Sequence, residues 1–327
     1  MKTLFVGLDY HVYTRALIDE MTAQGAQVTY IDIQPRTLPF KVLRTAGRSL
    51  YDRYLHQHHR KVLELAREQR FDRIVFLQAH QMAIETLAEL RALQPGIEMT
   101  LYNWDAISNH DYRQHAAYFD RVLTFDPADA QAHGYGYLPL FCMRPMQALR
   151  RDLAVPKSLY MIGNIVKAQR YRAVVAFSDY AALNGITFNH HLKITPVVLA
   201  QLRRQGLKPS GVSLRSIHPA DFTSMVEKSI GAFDFANHDQ SGQTMRMMEN
   251  LCAGRKIVTN NRWVLREPFY SPDRIHVFDG IDFSGISSFL EQPIAEPDAT
   301  FSDYHIQSFT RRLLGLEPLL PSGKAND

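Results

Sequence analysis

Two kinds of hydrophobic patterning alternate along almost the whole chain. Short apolar runs rich in Val, Ile, Leu and Phe read as strands: "TLFVGL" (3–8), "QVTYIDI" (27–33), "DRIVFLQ" (72–78), "EMTLYNWD" (98–105), "RVLTFD" (121–126) and "YLPL" (137–140). Between them, apolar residues recur at helical spacing in "DYHVYTRALIDEMTAQ", which Gly25 stops, in a long region at 41–69, and at 82–93, ended by Pro95-Gly96. Apolar strands separated by helices predict a parallel sheet covered on both faces.

The rhythm breaks over 141–157 ("FCMRPMQALRRDLAVPK"), which carries two prolines, and a domain junction is expected there. It then restarts with "SLYMIG" (158–163), a helix at 166–183, Asn184-Gly185 and "ITFNHHL" (186–192). A helix near 195–205, a strand near 211–215, a helix near 219–228 and "IGAFDFA" (230–236) follow. A helix from Thr244, "KIVTN" (256–260), "RIHVFD" (274–279) and a helix near 303–315 complete the pattern before a polar tail. The expected organisation is one α/β domain over 1–150, a second over 151–302, and a final helix and tail over 303–327. In open parallel sheets ligands sit at the carboxyl ends of strands, so the loops there are the places to look for chemistry.

Composition narrows the partners. A hydrophobic share of 46% is that of a globular protein with real cores. The net charge of +4 suits a small anionic ligand or loose contact with an acidic membrane surface, and is too small for a nucleic-acid binder. Cys142 and Cys252 lie outside any CxxC pattern, so neither a disulfide framework nor a zinc site is expected. No run reaches the ~18 apolar residues that span a bilayer. A cytoplasmic protein with at most peripheral membrane contact is expected.

Two loops of the second half could hold an anion. "NHDQSGQT" (237–244) places Ser241, Gly242, Gln243 and Thr244 before a helix whose first N–H groups and dipole favour negative charge. In that helix Met245, Met248, Leu251 and Cys252 form an apolar face, with Arg246, Glu249 and Asn250 directed elsewhere. Glu249 can accept both hydroxyls of a ribose, or it can form an ordinary surface pair with Arg246. The second loop, "GNIVKAQRYR" (163–172), has Gly163 and Asn164 followed by Lys167, Arg170 and Arg172. Cations at a helix N-terminus oppose its dipole; a bound diphosphate would compensate, and a solvated basic helix is the plainer alternative.

In the first half, strand-end loops carry Asp9, His11, His80, Asp105, His110 and Asp111, candidates for a general base or for substrate recognition, each also able to be merely structural. "HQHH" (56–59) has metal-like letters, but no carboxylate or cysteine completes a set, and His190-His191 either lines a site or packs. GxGxxG after the first strand, GxxxxGK[ST], GxSxG and HExxH are all missing, which weakens dehydrogenase, P-loop, hydrolase and zinc-protease readings.

"LYNWDA", "YFDRVLTFDPADAQAHGYGYLPLF" and "QSGQTMRMMENLCAGRKIVTNN" resemble bacterial glycosyltransferases of lipopolysaccharide and capsule assembly, relatives of the group 1 and spore-maturation (CgeB-like) transferases. The likeness is carried by Asp105, Phe119-Asp120, Phe125-Asp126, Asp129, Gly134 or Gly136, and Leu138-Pro139-Leu140. It continues at Gln240, Gly242, Thr244, Arg246, Glu249, Gly254 and Thr259-Asn260. The resemblance implies a GT-B fold: two Rossmann-like parallel-sheet domains facing across a cleft, with the C-terminal helix crossing back to the first. It implies transfer from a nucleotide-sugar donor, UDP-type foremost, to a surface-polysaccharide or lipid-linked glycan, without a metal or other cofactor.

Carried over residue by residue, the resemblance implies Glu249 on the ribose and Ser241, Gly242, Gln243 and Thr244 near the diphosphate. Gly163, Asn164, Lys167, Arg170 and Arg246 would complete the donor site. Asp105, Asp9 or His11 would act on the acceptor hydroxyl, and His80, His110 and Asp111 would bind the acceptor. Many retaining group 1 enzymes carry two glutamates eight positions apart; Ser241 stands eight before Glu249, which leaves the stereochemical outcome open. A nucleotide-sugar epimerase of the same fold and a non-catalytic nucleotide-sugar-binding subunit are the alternatives.

Overall fold

The computed structural model describes residues 1–35, 37, 48–150, 152–236 and 240–321, without the side chains of His11 and Arg48. The chain forms two compact units. The first comprises Met1–Met143, Asp239–Gly242 and Asp303–Ser322; the second comprises Arg144–His238, Gln243–Ser302 and Gly323–Asp327.

The first unit is built on six strands: β1 (Lys2–Gly7), β2 (Gln27–Asp32), β3 (Arg73–Leu77), β4 (Glu98–Asn103), β5 (Arg121–Thr124) and β6 (Gly136–Tyr137). They lie in the order β2-β1-β3-β4-β5-β6, all parallel. The chain winds outward from β1 to one side and then from β3 to the other, so the topological switch falls between β1 and β3. Helices His11–Ala23, Arg48–Glu68 and Ile84–Leu93 fill the crossovers. Leu4, Val6, Ile74, Phe76, Met99 and Leu101 form the core with Val62, Leu63, Leu87 and Leu90 from the helices.

The C-terminal helix, Ile306–Leu313, belongs to this first unit, as expected of a helix that crosses back. Its entry is fixed by a parallel bridge in which Cys142 N donates to Tyr304 O and Ile306 N to Cys142 O. Phe309 packs edge-on against Tyr102, and the Arg121 guanidinium donates to the Arg312 and Leu313 carbonyls at the helix end.

The second unit repeats the plan with β7 (Val155–Ile165), β8 (Thr187–Ile194), β9 (Val212–Ser213), β10 (Ser229–Asp234), β11 (Lys256–Thr259) and β12 (Ile275–Val277). The order is β12-β11-β10-β7-β8-β9, again all parallel. Read from β9, this is the strand order of a dinucleotide-binding sheet, with its switch between β7 and β10. The core on one face is aromatic: Phe177 stacks on Phe233 at 4.1 Å and meets Phe188 and Phe283 edge-on.

Three local expectations need correction. "YLPL" contributes only Tyr137 to a strand: Leu138 N still donates to Thr124 O, but Pro139 has no N–H to continue a ladder. The helix near Thr244 spans Met245–Cys252 and buries its polar residues too, so it has no solvated face carrying Glu249 and Asn250. "SLYMIG" is part of a longer strand, Val155–Ile165, which takes Gly163 and Asn164 out of the expected loop, and a short helix at Pro127–His133, capped by Asp126, lies between β5 and β6. The 41–47 part of the long helix, the loop residues 237–239 and the tail from 322 fall outside the described residues.

"HQHH" is a packing device. His58 and His59 hydrogen-bond through Nε2 to the Asp32 and Ile33 carbonyls at the end of β2, and His56 is exposed. Burial holds the His59 pKa down to about 4. A folded value below the ordinary 6.5 means that the unfolded chain binds the extra proton, so stability falls as the pH drops from ~6.5 through ~4. Between pH 7 and pH 5 His59 is expected to account for a loss of about 2 kcal/mol. Thermal melts of wild type and His59→Gln across that range check it: the variant's pH slope should be shallower by that amount.

Candidate functional site

The carboxyl end of the β7/β10 switch holds a buried charge cluster. β10 ends in Asp234, which is 0% exposed. Its carboxylate accepts from Arg246 Nη1 at 2.6 Å, Thr244 Oγ1 at 2.9 Å and Thr259 Oγ1 at 3.4 Å. The other arm of Arg246, Nη2, donates to the Ile162 carbonyl near the end of β7, so one guanidinium spans the switch. Gly163 permits this, since a Cβ there would stand 2.9 Å from Arg246 Nη2.

Arg170, in the first turn of helix Ala168–Leu183, approaches from the other side. Its Nη1 donates to Asn164 O at 3.0 Å and its Nη2 to Phe235 O at 2.7 Å. Burial, and next the Arg246 charge, bring its pKa down to about 10, against the opposing pull of Asp234. Two guanidiniums therefore lie near one carboxylate at the N-terminus of helix Met245–Cys252, with Glu249 buried further along it. Adding an anion would relieve both the Arg–Arg repulsion and the unfavourable cation–dipole pairing.

The rest of the predicted donor set divides. Thr244 caps the helix, its Oγ1 accepting from Met247 N at 3.1 Å, so its hydroxyl serves both the helix and Asp234. Gln243 is buried; its Oε1 accepts from Asn261 Nδ2 at 3.2 Å, and its Nε2 has no hydrogen-bond partner among the described residues. Glu249 is 4% exposed in the following turn, beside Asn250, which donates to Tyr160 Oη. Arg246 pairs with Asp234, and Glu249 is buried rather than on the surface. Asn164 is exposed near the end of β7, and Lys167 is exposed just before helix Ala168–Leu183.

Ser241 and Gly242 belong to the first unit. Their backbone N–H groups donate to Asp126 Oδ2 at 2.7 and 3.1 Å, and the Ser241 hydroxyl donates to Oδ1 of the same carboxylate. The anion gripped by this part of the glycine loop is thus a side chain of the protein itself. Gly242 is required there, since a Cβ would lie 2.4 Å from the Phe125 ring and 2.8 Å from its carbonyl oxygen.

At the carboxyl edge of the first sheet, Asp105 follows β4 and accepts from Gln78 Nε2 at 2.5 Å and Gln240 Nε2 at 3.4 Å. Asp9 follows β1 and is half-buried; His11 begins the next helix, its side chain being outside the described residues. His80 and His110 stack with their rings parallel at 4.0 Å. Burial, then the neighbouring His110 and His115, hold His80 down to about 4, so it is neutral at pH 7. Asp111 is exposed and paired with Arg113, whose hydrogen bonds lower its pKa to about 2.

Asp234 and Asp126 are central to these two clusters, and neither is among the predicted site residues. Asp126-Pro127 carries the signature of a helix start, a capping carboxylate followed by proline at the first position. Asp234 leaves no such trace, since its partners Arg246 and Thr259 are brought to it only by the fold.

No protein-family model matches the chain, and no curated protein matches it. Solved structures do. A lipopolysaccharide outer core galactosyltransferase, WaaB, in its apo form aligns at TM-score 0.57 and 12% identity, over 97% of this chain and 99% of that one. An alpha-glucosyltransferase in complex with UDP and a mismatched DNA 13-mer aligns at TM-score 0.62 and 11% identity, over 96% and 95%. A candidate UDP-N-acetylglucosamine 2-epimerase from Listeria monocytogenes aligns at TM-score 0.54 and 10% identity, over 96% and 94%. At such identities the likeness is one of fold: this chain has the GT-B architecture of two Rossmann-like parallel-sheet domains.

Proposed function

We propose that the protein is a glycosyltransferase that moves a sugar from a nucleotide-sugar donor to a glycan or lipid-linked acceptor. The observation that carries this reading is the Arg170–Asp234–Arg246 cluster at the switch of a dinucleotide-type sheet, opened by Gly163. A diphosphate placed there meets two guanidiniums and a helix N-terminus, the groups that stabilise negative charge developing on a leaving nucleotide. Glu249 serves as acceptor for the ribose hydroxyls. Gln243 Nε2, a buried donor without a partner among the described residues, supports an oxygen-rich ligand beside the same helix start.

In the reaction the acceptor oxygen bonds to the anomeric carbon as the bond from that carbon to the diphosphate breaks. The hydroxyl proton passes to a base, for which Asp105 is the first candidate and Asp9 and His11 the others; His80, His110 and Asp111 are acceptor-binding candidates. The resemblance favours UDP as the nucleotide and a lipopolysaccharide or capsule glycan as the product, made in the cytoplasm with peripheral contact at the inner membrane. Among the described residues no helix is long and apolar enough to cross a membrane.

Glu249→Ala is expected to weaken nucleotide-sugar binding by about 1–3 kcal/mol, the cost of hydrogen bonds to a charged acceptor. Competition binding checks it, and unchanged affinity for every nucleotide sugar removes Glu249 from the site. The reaction itself is tested by nucleotide release with and without saccharide acceptors. Release that depends on acceptor supports transfer; isomerisation of the donor alone supports the epimerase reading, to which one fold match also points.

A further inference from the structure

We infer that the carboxyl edge of the first sheet carries a saccharide subsite: an aromatic platform of Tyr10 and Trp104 beside the Asp105 carboxylate, suited to one uncharged pyranose ring. Tyr10 lies just after β1 and Trp104 just after β4, on either side of the end of β3. Their rings nonetheless meet edge to face, with centroids 5.1 Å apart at 62°. Tyr13 stacks behind Tyr10 at 6.5 Å and in turn meets the buried Phe141 edge-on at 6.3 Å, which anchors the platform in the core. Tyr10 remains 46% exposed. A large ring at a sheet's ligand-binding edge, braced from behind, has area available for stacking.

The polar half of the subsite is held with equal care. Asp105 follows Trp104 directly, and burial together with the nearby Asp105 charge raises the Tyr10 pKa, consistent with the phenol and carboxylate being neighbours. Gln78, beneath them at the end of β3, is 2% exposed and has φ +64°, a left-handed conformation that costs a non-glycine residue about 1 kcal/mol or more. In that conformation its N–H donates to Tyr102 O at 2.9 Å and its side chain to Asp105 Oδ2. The strained residue thus fixes which way the carboxylate faces.

A pyranose has one apolar C–H face and a rim of hydroxyls. The ring face covers an aromatic side chain, and two neighbouring hydroxyls donate to a carboxylate, which only accepts. A nucleotide could also stack, but Asp105 and the half-buried Asp9 repel its phosphate. The subsite rests on the transferase reading only in that its saccharide would be the acceptor; saccharide binding itself does not depend on it.

The chain has two tryptophans, so Trp263→Phe leaves Trp104 as the sole indole reporter. That variant is titrated with methyl hexopyranosides and methyl N-acetylhexosaminides, and separately with nucleosides and nucleoside monophosphates. The expected result is a saturable change in Trp104 emission with a glycoside, weakened about tenfold or more by Tyr10→Ala, equivalent to ~1.4 kcal/mol. Tyr10→Phe keeps the ring and should bind close to the parent, which separates stacking from folding. No saturable change with any glycoside, or a stronger response to nucleosides, overturns the subsite. Glycoside binding without binding of any nucleotide sugar would instead refute the transferase reading and leave this one standing.

Discussion

Arg246→Met is expected to cost the fold about 3–5 kcal/mol and to remove nucleotide-sugar binding, because it strips the main counter-charge from a carboxylate that water cannot reach. Asp234 has no exposed surface and, among the described residues, takes its charged hydrogen bond from Arg246; the two threonine hydroxyls that also donate to it are neutral. The guanidinium also ties Asp234 on β10 to the Ile162 carbonyl on β7, so the switch loses a brace as well as a charge. Arg246→Lys should fare better in stability than Arg246→Met but should not restore the site, since an ammonium cannot reach two acceptors with a rigid fork. Urea denaturation measures the first effect. A double variant with Asp234→Asn separates the two, as it should regain much of the stability and none of the nucleotide affinity.

Asp126→Ala is expected to be nearly as damaging, at about 3–5 kcal/mol. The carboxylate caps helix Pro127–His133 through Ala128 N and Asp129 N and accepts the Ser241 and Gly242 N–H groups and the Ser241 hydroxyl. Losing the cap costs ~1 kcal/mol, and each charge-assisted bond to a buried N–H adds ~1.5–3 kcal/mol, less than additively within one network. Gly242→Ala should fail for a different reason: the new methyl group would press into the Phe125 ring and carbonyl, and a backbone carbonyl cannot move aside. Ser241→Ala, which leaves both N–H bonds in place, should lose only about 1 kcal/mol. Equilibrium denaturation of the three variants orders them, and a benign Asp126→Ala would show that the loop is held by something else.

The layout of both sheets was legible because strands covered on both faces are apolar throughout and the helices between them are not. The stops were legible for a stereochemical reason: Gly25, Gly96, Gly185 and Gly254 take left-handed φ values of 88°, 74°, 65° and 65° where helices end. Strand order was not legible, since nothing in a strand's own residues names its neighbour. The same limit hid the two buried aspartates. Arg246 lies twelve residues from Asp234 and Ser241 lies 115 from Asp126, so neither pairing follows any local period.

The glycine loop shows a subtler failure. A glycine followed by a helix start does signal a place for an anion, and anions are there: Asp126 at Ser241 and Gly242, Asp234 at Thr244 and Arg246. Spacing could not say that the protein supplies them. In the helix over 245–252 the polar residues directed away from the apolar face are also buried: Asn250 finds Tyr160 inside and Glu249 lies next to it in the chain. A polar residue predicts a solvated face only when no buried partner awaits it.

Donor binding requires the positive cluster at the β7/β10 switch to take a diphosphate. Calorimetric titration of UDP, UDP-sugars and the other nucleotide diphosphate sugars into wild type and Arg170→Met tests this with a variant that leaves the Arg246–Asp234 pair in place. The predicted result is saturable binding of at least one of them to wild type, weakened by about tenfold or more, ~1.4 kcal/mol, in Arg170→Met. Binding of none of them to the wild type, or binding of equal strength to both proteins, would contradict it.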